Sequence, residues 1–264
     1  MRLRRAVRQC VLVSSHRIEI RGLPSLPEIR EGDDLPAIIL EACREVSFAP
    51  EEGDIFVVTQ KIVSKAEGQV VDLRDVTPSS LAAGFARSAD KDPRVVEVVL
   101  REASRIVKMD QGILITETRH GFVCANSGVD ASNVGSRDTV TILPRDPDAS
   151  ARRLREELEA KTGHQLAVIL SDTFGRPWRE GVTNIAIGVS GMRALVDYRG
   201  SVDPQGRSLA TTVVAVADEL ASAAELVMGK LDHTPVAVIR GYPFQPGDDG
   251  AKPLLRARER DLFR

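Results

Sequence analysis

The chain contains 264 residues, 42% of them hydrophobic, which is enough to bury one large core or two smaller ones. Its formal net charge of −2 provides no basic field for nucleic acid or an anionic membrane, and an aromatic content of 4% argues against a base-stacking surface. No run of about 18 apolar residues occurs, so no membrane span is predicted.

Cysteine usage indicates a reducing compartment. Cys10, Cys43 and Cys124 are odd in number and widely spaced, which predicts neither a zinc site nor a disulfide framework. We therefore expect a cytoplasmic protein.

Both ends of the chain differ in composition from its middle. Residues 1–13 carry four arginines before the patch "CVLV", which is too short for a signal peptide, and we predict a disordered basic lead. Ordered structure is expected to begin near "HRIEIRGLP", which alternates like a strand, and to form one domain over residues 14–244. Residues 245–264 are rich in Pro, Gly and charge, which predicts a linker-like tail.

The first half of the domain predicts mixed helices and strands. Residues 35–46 have apolar side chains at helical spacing, and residues 53–73 read as a strand, a polar loop and a strand. Two helices follow over residues 78–89 and 93–107, with Ser80 as the cap of the first and Pro93 in the first turn of the second. Two strands, joined by a polar turn at Arg119 and His120, are predicted over 112–118 and 121–128.

The second half repeats this mixture. A helix is predicted over residues 146–163, a strand over 165–170, a glycine-broken strand over 184–192 and a last strand over 235–242. Between them lies an apolar stripe of helical length, expected to be core: Leu209, Val213, Val216, Leu220, Ala223 and Val227. The order lacks strict strand–helix alternation, so we predict an α+β (mixed α/β) fold.

The first candidate binding segment is "TQKIVSKAEG", residues 59–68. Lys61 and Lys65 lie near Ser64 and Gly68, and a lysine beside a glycine-bearing turn can neutralise phosphate. The chain has no GxxxxGK[ST] motif, so this is not a P-loop. A solvated basic turn is the alternative.

The second candidate segment is "ANSGVDASNV". Asp130 has small neighbours that would let a hard cation approach its carboxylate, and the oxygens of Asn126, Ser132 and Asn133 could orient a ligand. An Asx-rich turn that satisfies only its own backbone is the alternative.

The third candidate segment is "SDTFGRPWREG", directly after an apolar strand. Asp172 and Thr173 are an oxygen pair suited to Mg²⁺ or Mn²⁺, and Arg176 and Arg179 could fork onto phosphate or carboxylate. The alternative is a structural ion-pair loop with Trp178 as a packing plug.

Together the three segments supply the parts of a metal–polyphosphate site. Phosphoryl transfer needs metals, cations and accurate positioning, and little else from the protein. The four histidines are scattered, and none lies in HExxH or beside GxSxG, so a nucleophilic triad is less supported.

Long stretches of the chain resemble the coenzyme F420:L-glutamate ligase (gamma-glutamyl ligase) family. They are "GDIFVVTQKIVSKAEGQVVDL", "GFVCANSGVDASNV", "LPRDPDASARRLREEL" and "VILSDTFGRPWREGVTNIAIGVSGM", in that order within about residues 20–242. The resemblance implies a two-lobed ligase fold without a P-loop and a GTP-dependent enzyme that joins L-glutamate to the deazaflavin precursor F420-0, followed by gamma-linked glutamate additions. It also implies Mg²⁺ or Mn²⁺ at two sites, K⁺ and a homodimer.

The resemblance also assigns residues. It implies that the first metal is held by Asp130 and Asp172, and the second by Thr173. The implied nucleotide contacts are Leu26, Pro27, Glu28, Ile29, Gln60, Lys61, Lys65, Asn133, Met228, Gly229 and Lys230. We expect Asp130, Asp172, Arg176 and Arg179 to serve catalysis, the two arginines by charge complementarity alone.

One position departs from the family pattern. After its Met-Gly pair the family can carry a glutamate for the second metal, whereas this chain has Lys230. Three explanations are open: Asp232 substitutes, Lys230 itself offsets phosphate charge, or the second metal site is weaker. Two other functions are also open, namely a related ligase for a different small carboxylate and a nucleotide-binding module without catalysis.

Overall fold

The computed structural model describes residues 17–24, 26–131 and 138–261. The elements of the first half are β1 (Glu19–Leu23), α1 (Leu35–Glu45), β2 (Ile55–Thr59), α2 (Gln60–Ala66), β3 (Val70–Asp72), α3 (Ser80–Ala89), α4 (Pro93–Glu102), β4 (Ala103–Asp110), β5 (Ile113–Thr118) and β6 (Val123–Ala125). Those of the second half are β7 (Thr139–Thr141), α5 (Pro147–Thr162), β8 (Ala167–Arg176), β9 (Arg179–Ser190), β10 (Val196–Asp197), β11 (Val213–Val214), α6 (Val216–Met228) and β12 (Val236–Arg240). The predicted basic lead, residues 1–13, lies outside the described residues.

A five-stranded sheet forms the larger lobe, in the order β1-β12-β2-β8-β9. Only β2 and β8 run parallel within it, and its other neighbours are antiparallel. Side chains alternate between its faces: Phe56 and Val58 pack in the core that includes α1 and α5, and Ile55 and Val57 in the core with α6. Both faces are therefore covered by helices.

A smaller lobe forms from the chain between β2 and α5. It contains the β3–β7 pair, the three-stranded sheet β4-β5-β6 and helices α3 and α4, around its own apolar clusters. Phe122 of this lobe packs edge-on against Phe174 of β8, with ring centroids 6.3 Å apart. The predicted α+β, two-lobed architecture is confirmed. No helix in the part of the chain that the structure describes is long and apolar enough to cross a bilayer.

Capping residues explain where most helices begin. The carboxylates of Asp34 and Asp146 accept backbone N–H bonds in the first turns of α1 and α5, and Asp92 caps α4 before Pro93. Helix α3 is capped by Ser79, one residue before the predicted Ser80. The helix predicted over 93–107 ends at Glu102, because residues 103–107, which include the β-branched Ile106 and Val107, form a strand against β5 instead.

Three predictions around the sheet were wrong. The polar loop within 59–68 is helix α2, whose Gln60 and Ser64 are buried and bonded to each other one turn apart. The loop after residue 170 continues as strand, since β8 and β9 form a hairpin that turns at Pro177 and Trp178. Strand β9 is not broken at Gly188, where a side chain would collide with the backbone of α5.

Two expectations near the C-terminus also fail. Within the predicted apolar stripe only residues from Val216 onward are helical, and α6 buries Ala221 and Ala224 in place of the half-exposed Ala223 and Val227. The tail from residue 245 is not linker-like over its described part. Ala251 is buried against the α6-side core, and its N–H donates to Asp148 Oδ1 at 2.8 Å.

A buried ion pair joins the last strand to the start of β2. Arg240 donates to both carboxylate oxygens of the fully buried Asp54, at 2.8 and 2.7 Å, and its guanidinium stacks 4.3 Å from the ring of Phe48. We predict that Arg240→Ala lowers the free energy of unfolding by about 3–5 kcal/mol, because it leaves the Asp54 charge buried and unpaired. Arg21→Ala, at the same ring but partly exposed, should cost under about 1 kcal/mol in urea unfolding. Equal losses in the two variants would contradict this.

Candidate active site

A cleft of about 420 Å³ lies where β2 ends at Thr59, beside the middle of β8 at residues 171–173. The parallel pairing of these two strands stops there at Thr59 and Ser171, and the carboxyl end of a parallel pairing is a usual place for ligands. The cleft is lined by Leu26, Pro27, Glu28, Ile29, Thr59, Gln60, Lys61, Ile62, Lys65, Asp130, Ser171, Asp172, Thr173, Asn184, Glu225, Gly229, Lys230, His233, Thr234 and Pro235. All three sequence segments that carry candidate chemistry therefore reach one cavity.

The pKa of the Asp172 carboxyl group in the cleft is strongly raised. Burial first, and then the nearby charge of Asp130, raise the pKa of Asp172, to about 7, against the hydrogen bonds from the Thr173 N–H and the Gln60 side chain and the charge of Lys230. Two acids that repel each other in a sheltered cleft form a strong site for a cation.

Helix α2 carries two cationic side chains of the cleft, Lys61 and Lys65. Lys61 Nζ lies 2.7 Å from Asp130 Oδ2, and Lys65 Nζ lies 2.5 Å from Glu28 Oε1. The two lysines are four residues apart, so they share one face of the helix. Lys65 is nearly buried, with 10% of its side chain exposed, whereas Glu28 is 67% exposed. The helix therefore presents fixed positive charge beside the two carboxylates.

A tight turn delivers Asp130 to the cleft. Asn126, Ser127 and Gly128 all have positive φ, of 54°, 53° and 70°. Ser127 is held by its hydroxyl, which donates to Val99 O at 2.9 Å and shares a bond with Thr116. A side chain at position 128 would collide with Leu143, so only glycine fits there.

Alternation along β8 divides the polar side chains of the cleft between the two sides of the sheet. Asp172 lies on the side of the α1/α5 core, and Ser171 and Thr173 lie on the α6 side. The register slips by one residue between Leu170 and Ser171, where β9 bulges. Bulges often re-aim side chains beside active sites, and this one is at the first cleft residue of β8.

A polar network links the α6 side. Thr173 Oγ1 donates to Asn184 Oδ1 at 2.8 Å, and Asn184 Nδ2 donates to Glu225 Oε2 at 2.7 Å. Lys230 Nζ donates to Thr173 Oγ1 and lies 3.9 Å from Glu225 Oε1. Each side chain of this network therefore has a partner that fixes it.

The residues of the cleft fit one divalent metal at the two aspartates. Asp130 and Asp172 supply the hard oxygen ligands that Mg²⁺ and Mn²⁺ prefer, and a cation there would relieve their repulsion. The second implied metal fits less well, because the Thr173 hydroxyl already bonds the ammonium of Lys230. Lys61 and Lys65 are the side chains that would neutralise a polyphosphate there.

Comparison with known proteins bears on this site. The family model described as F420-0:Gamma-glutamyl ligase matches residues 24–241. The chain belongs to this family. It is 48% identical to "Coenzyme F420:L-glutamate ligase" of Methanothermobacter thermautotrophicus over 250 residues, which is 94% of this chain and 99% of the relative. Proteins of the same name from Methanocaldococcus jannaschii and Methanopyrus kandleri are 45% and 46% identical, over 96% and 94% of this chain and 100% and 98% of theirs. The resemblance found in the sequence is confirmed, and the chain is a ligase of this family.

Most of the residues assigned by the family resemblance line the cleft. Those that do are Leu26, Pro27, Glu28, Ile29, Gln60, Lys61, Lys65, Asp130, Asp172, Thr173, Gly229 and Lys230. Asn133 lies outside the described residues. Met228 is not at the cleft, since it is 1% exposed and packs in the α6-side core.

The two arginines predicted to serve catalysis do not line the cleft of their own chain. Arg176 and Arg179 are exposed at the end of the β8–β9 hairpin, and Arg176 donates to the carbonyls of Glu180 and Gly181. The strand extends further than expected, so it carries both side chains past the site. Trp178 is no packing plug, because 79% of it is exposed.

Sequence reasoning missed several residues of the cleft in this ligase. Asn184 and Glu225 are 41 positions apart and meet only through the fold. Glu225 lies on a helix whose apolar residues dominate its pattern, so no local signal singles it out. Ser171 belongs to the third candidate segment, and its position next to Asp172 could have identified it as a residue of the cleft.

Ser171 provides a direct test for ligand contact. Its hydroxyl is buried, lines the cleft and has no hydrogen-bond partner, which costs stability unless a ligand supplies one. We predict that Ser171→Ala leaves the protein as stable or more stable, by up to about 1 kcal/mol, while substrate or nucleotide affinity falls about tenfold. Thr162→Ala, which loses a hydroxyl bonded to Leu158 O, is the control with unchanged affinity. Lower stability with unchanged affinity in Ser171→Ala would contradict the prediction.

Metal affinity should depend on pH around neutrality. With the pKa of Asp172 raised to about 7, a metal must displace a proton at lower pH. We predict that the Kd for Mn²⁺ of the metal-free enzyme weakens roughly tenfold per unit as pH falls below about 7, and levels off above it. Calorimetric titration in buffers of different ionisation enthalpy would measure the proton released. An affinity that is flat from about pH 5.5 to 7.5 would contradict the assignment of Asp172 as a ligand.

Proposed function

We propose that this chain is a GTP-dependent coenzyme F420-0:L-glutamate ligase of coenzyme F420 biosynthesis. It would form an amide between the carboxylate of the deazaflavin precursor and L-glutamate, followed by gamma-linked glutamate additions. One observation carries the proposal: in a member of this ligase family, Asp130 and Asp172 share a cleft with Lys61 and Lys65. That arrangement suits an enzyme that handles a metal-bound polyphosphate.

The proposed reaction has two steps. A carboxylate oxygen of the precursor attacks the γ-phosphorus of GTP, and the bond to the β-phosphate oxygen breaks, which gives an acyl phosphate and GDP. The amino group of glutamate then attacks the acyl carbon, loses a proton and displaces inorganic phosphate. When bound, a divalent ion would neutralise phosphate charge in the first step.

Residues of the cleft have distinct roles in this proposal. Asp130 and Asp172 hold the divalent ion, Mg²⁺ or Mn²⁺. Lys65, fixed by Glu28, and Lys61, released from Asp130 when a metal binds, neutralise the phosphates. The network of Thr173, Asn184 and Glu225 orients groups on the α6 side.

Three further properties are proposed on the resemblance to the family, namely K⁺ dependence, a cytoplasmic location and a homodimer. Exposed apolar side chains support the dimer: Trp178, Val182, Leu226 and Leu231 are 61–86% exposed. Arg176 and Arg179 keep their proposed catalytic role only if substrate or a second chain reaches the hairpin end. Light scattering of the purified protein tests the dimer.

Mass spectrometry of a defined reaction tests the proposed function. Purified protein is incubated with F420-0, L-glutamate, GTP and Mg²⁺ or Mn²⁺, and the deazaflavin products are weighed. We expect products heavier by one or more glutamyl residues, in an amount matched by GDP and phosphate, and none without GTP or metal. Replacing GTP with ATP tests nucleotide preference.

Either of two results would overturn the proposal. An unchanged precursor with glutamylation of another acceptor acid would identify a related ligase with a different substrate. GTP binding without phosphate release, in the presence of all substrates, would identify a nucleotide-binding module. A product with a single added glutamate would contradict only the part of the proposal that concerns gamma-linked additions.

A further inference from the structure

Four polar side chains from different elements meet on the α6 side of the cleft. Thr173 comes from β8, Asn184 from β9, Glu225 from the last turns of α6, and Lys230 from the turn that follows. The Thr173 hydroxyl donates to the amide oxygen of Asn184 at 2.8 Å, and the amide nitrogen of Asn184 donates to the carboxylate of Glu225 at 2.7 Å. We call these three residues the oxygen cluster.

The oxygen cluster has the chemistry of a hard-cation site, and a lysine ammonium lies in it. Hydroxyl, amide and carboxylate oxygens are the donors that a small divalent ion prefers. Lys230 Nζ bonds the Thr173 hydroxyl and lies 3.9 Å from Glu225 Oε1. Thr173 donates its proton to Asn184 and accepts from Lys230, so a metal there would compete with Lys230 for the hydroxyl oxygen.

The backbone holds Lys230 in this position. Gly229 ends α6 with a φ of 60°, which turns the chain back toward the cleft. Asp232 is the nearest acid that could replace a metal ligand. It folds against Gly229, where it fills the place of a side chain, and it does not line the cleft. Asp232 therefore does not replace the missing metal ligand, and the side chain that reaches the oxygen cluster from this turn is the ammonium of Lys230.

We propose that Lys230 is a tethered cation that occupies the oxygen cluster, so that the chain binds one divalent ion, at Asp130 and Asp172, in place of two. This inference rests on the proposed function, since it assumes a divalent ion at those two aspartates. Lys230 neutralises Glu225 and adds positive charge to the α6 side of the cleft, facing bound phosphate or carboxylate. A permanent ammonium supplies this charge at any free-metal concentration.

Counting bound Mn²⁺ ions tests the proposal without turnover. Metal-free protein is titrated with Mn²⁺ alone up to millimolar free ion, and free Mn²⁺ is measured by electron paramagnetic resonance. We expect one ion per chain in the natural protein. Lys230→Gln and Lys230→Met should each bind two, because the oxygen cluster is freed. Thermal unfolding identifies any variant that fails to fold.

Two controls separate this effect from a general change of charge. The double variant Lys230→Gln with Glu225→Gln should bind one ion, because the freed cluster has lost its carboxylate. Lys91→Gln removes an exposed lysine outside the cleft and should also bind one.

Each outcome decides the matter. Two ions in the natural protein, or one ion in both folded Lys230 variants, would overturn the tethered cation while leaving the proposed ligase intact. If the natural protein binds no Mn²⁺, the proposed divalent-ion site at Asp130 and Asp172 is wrong, and this inference fails with it. Two ions in the double variant would show that the second ion lies elsewhere.

Discussion

Asp172→Asn is expected to abolish turnover while making the metal-free protein more stable. The substitution removes a proposed metal ligand and the charge that opposes Asp130, so activity should fall about a hundredfold to a thousandfold or more. The asparagine keeps the shape of the side chain and can still accept the hydrogen bonds from the Thr173 N–H and Gln60. The loss should therefore be one of chemistry and metal affinity, with the fold unchanged.

The gain in stability follows from the sign of the pKa shift. The pKa of Asp172 is raised from 3.8 to about 7 on folding, so between these values the folded state binds more protons and stability falls as pH rises. Above about pH 7 the folded protein carries the full penalty of a buried charge. At pH 8 we expect Asp172→Asn to raise the free energy of unfolding by about 1–4 kcal/mol, and below about pH 4 by nothing.

Urea unfolding at two pH values and steady-state assays measure both effects. Asp218→Asn is the matched control: burial also raises the pKa of Asp218, and the carboxylate accepts from the Ala186 N–H at 2.9 Å, but it does not line the cleft. It should keep normal activity. Normal activity in the Asp172→Asn variant would contradict the assignment of Asp172 to the active site. A variant that loses stability along with activity would favour a structural role.

Lys65→Met should weaken binding of the nucleotide about a hundredfold or more. Its ammonium is nearly buried and held by Glu28, so it is fixed before a phosphate arrives. Truncating one partner of such an enclosed charge contact typically costs about 2–5 kcal/mol. The free energy of unfolding should change by less than about 1 kcal/mol, because Glu28 is exposed and can be hydrated once it loses its partner.

Titration with GTP measures the nucleotide affinity of Lys65→Met, and urea unfolding measures its free energy of unfolding separately. Lys91→Met, on an exposed loop between α3 and α4, controls for the loss of one positive charge and should bind GTP normally. Unchanged GTP affinity in Lys65→Met, together with lower stability, would contradict the proposed phosphate contact.

The sequence predicted those helices and site residues that are determined by neighbouring residues along the chain. Helix α1 follows from a capping aspartate and apolar spacing, and α5 from the acids at its start and Gly163 after its end; both were confirmed. Asp130, Asp172 and Lys65 were identified from their residue types and neighbours, and all three line one cleft.

Features that depend on tertiary pairing could not be read from the chain. The polar run 59–68 became helix α2 because its Gln60 and Ser64 bond each other in a buried site. Strand β8 runs on to Arg176 because β9 pairs with it, which carries Arg176 and Arg179 beyond the cleft. The contact between Asn184 and Glu225 exists only because α6 packs on β9.

The most direct test of the site is to locate the metal. Crystals soaked with Mn²⁺ and a non-hydrolysable GTP analogue would give an anomalous difference peak at each bound ion. We predict a peak in contact with the carboxylates of Asp130 and Asp172, with Lys61 moved from Asp130 toward phosphate. A peak that touches neither aspartate, or a nucleotide bound away from Lys65, would contradict the account of this cleft as the active site.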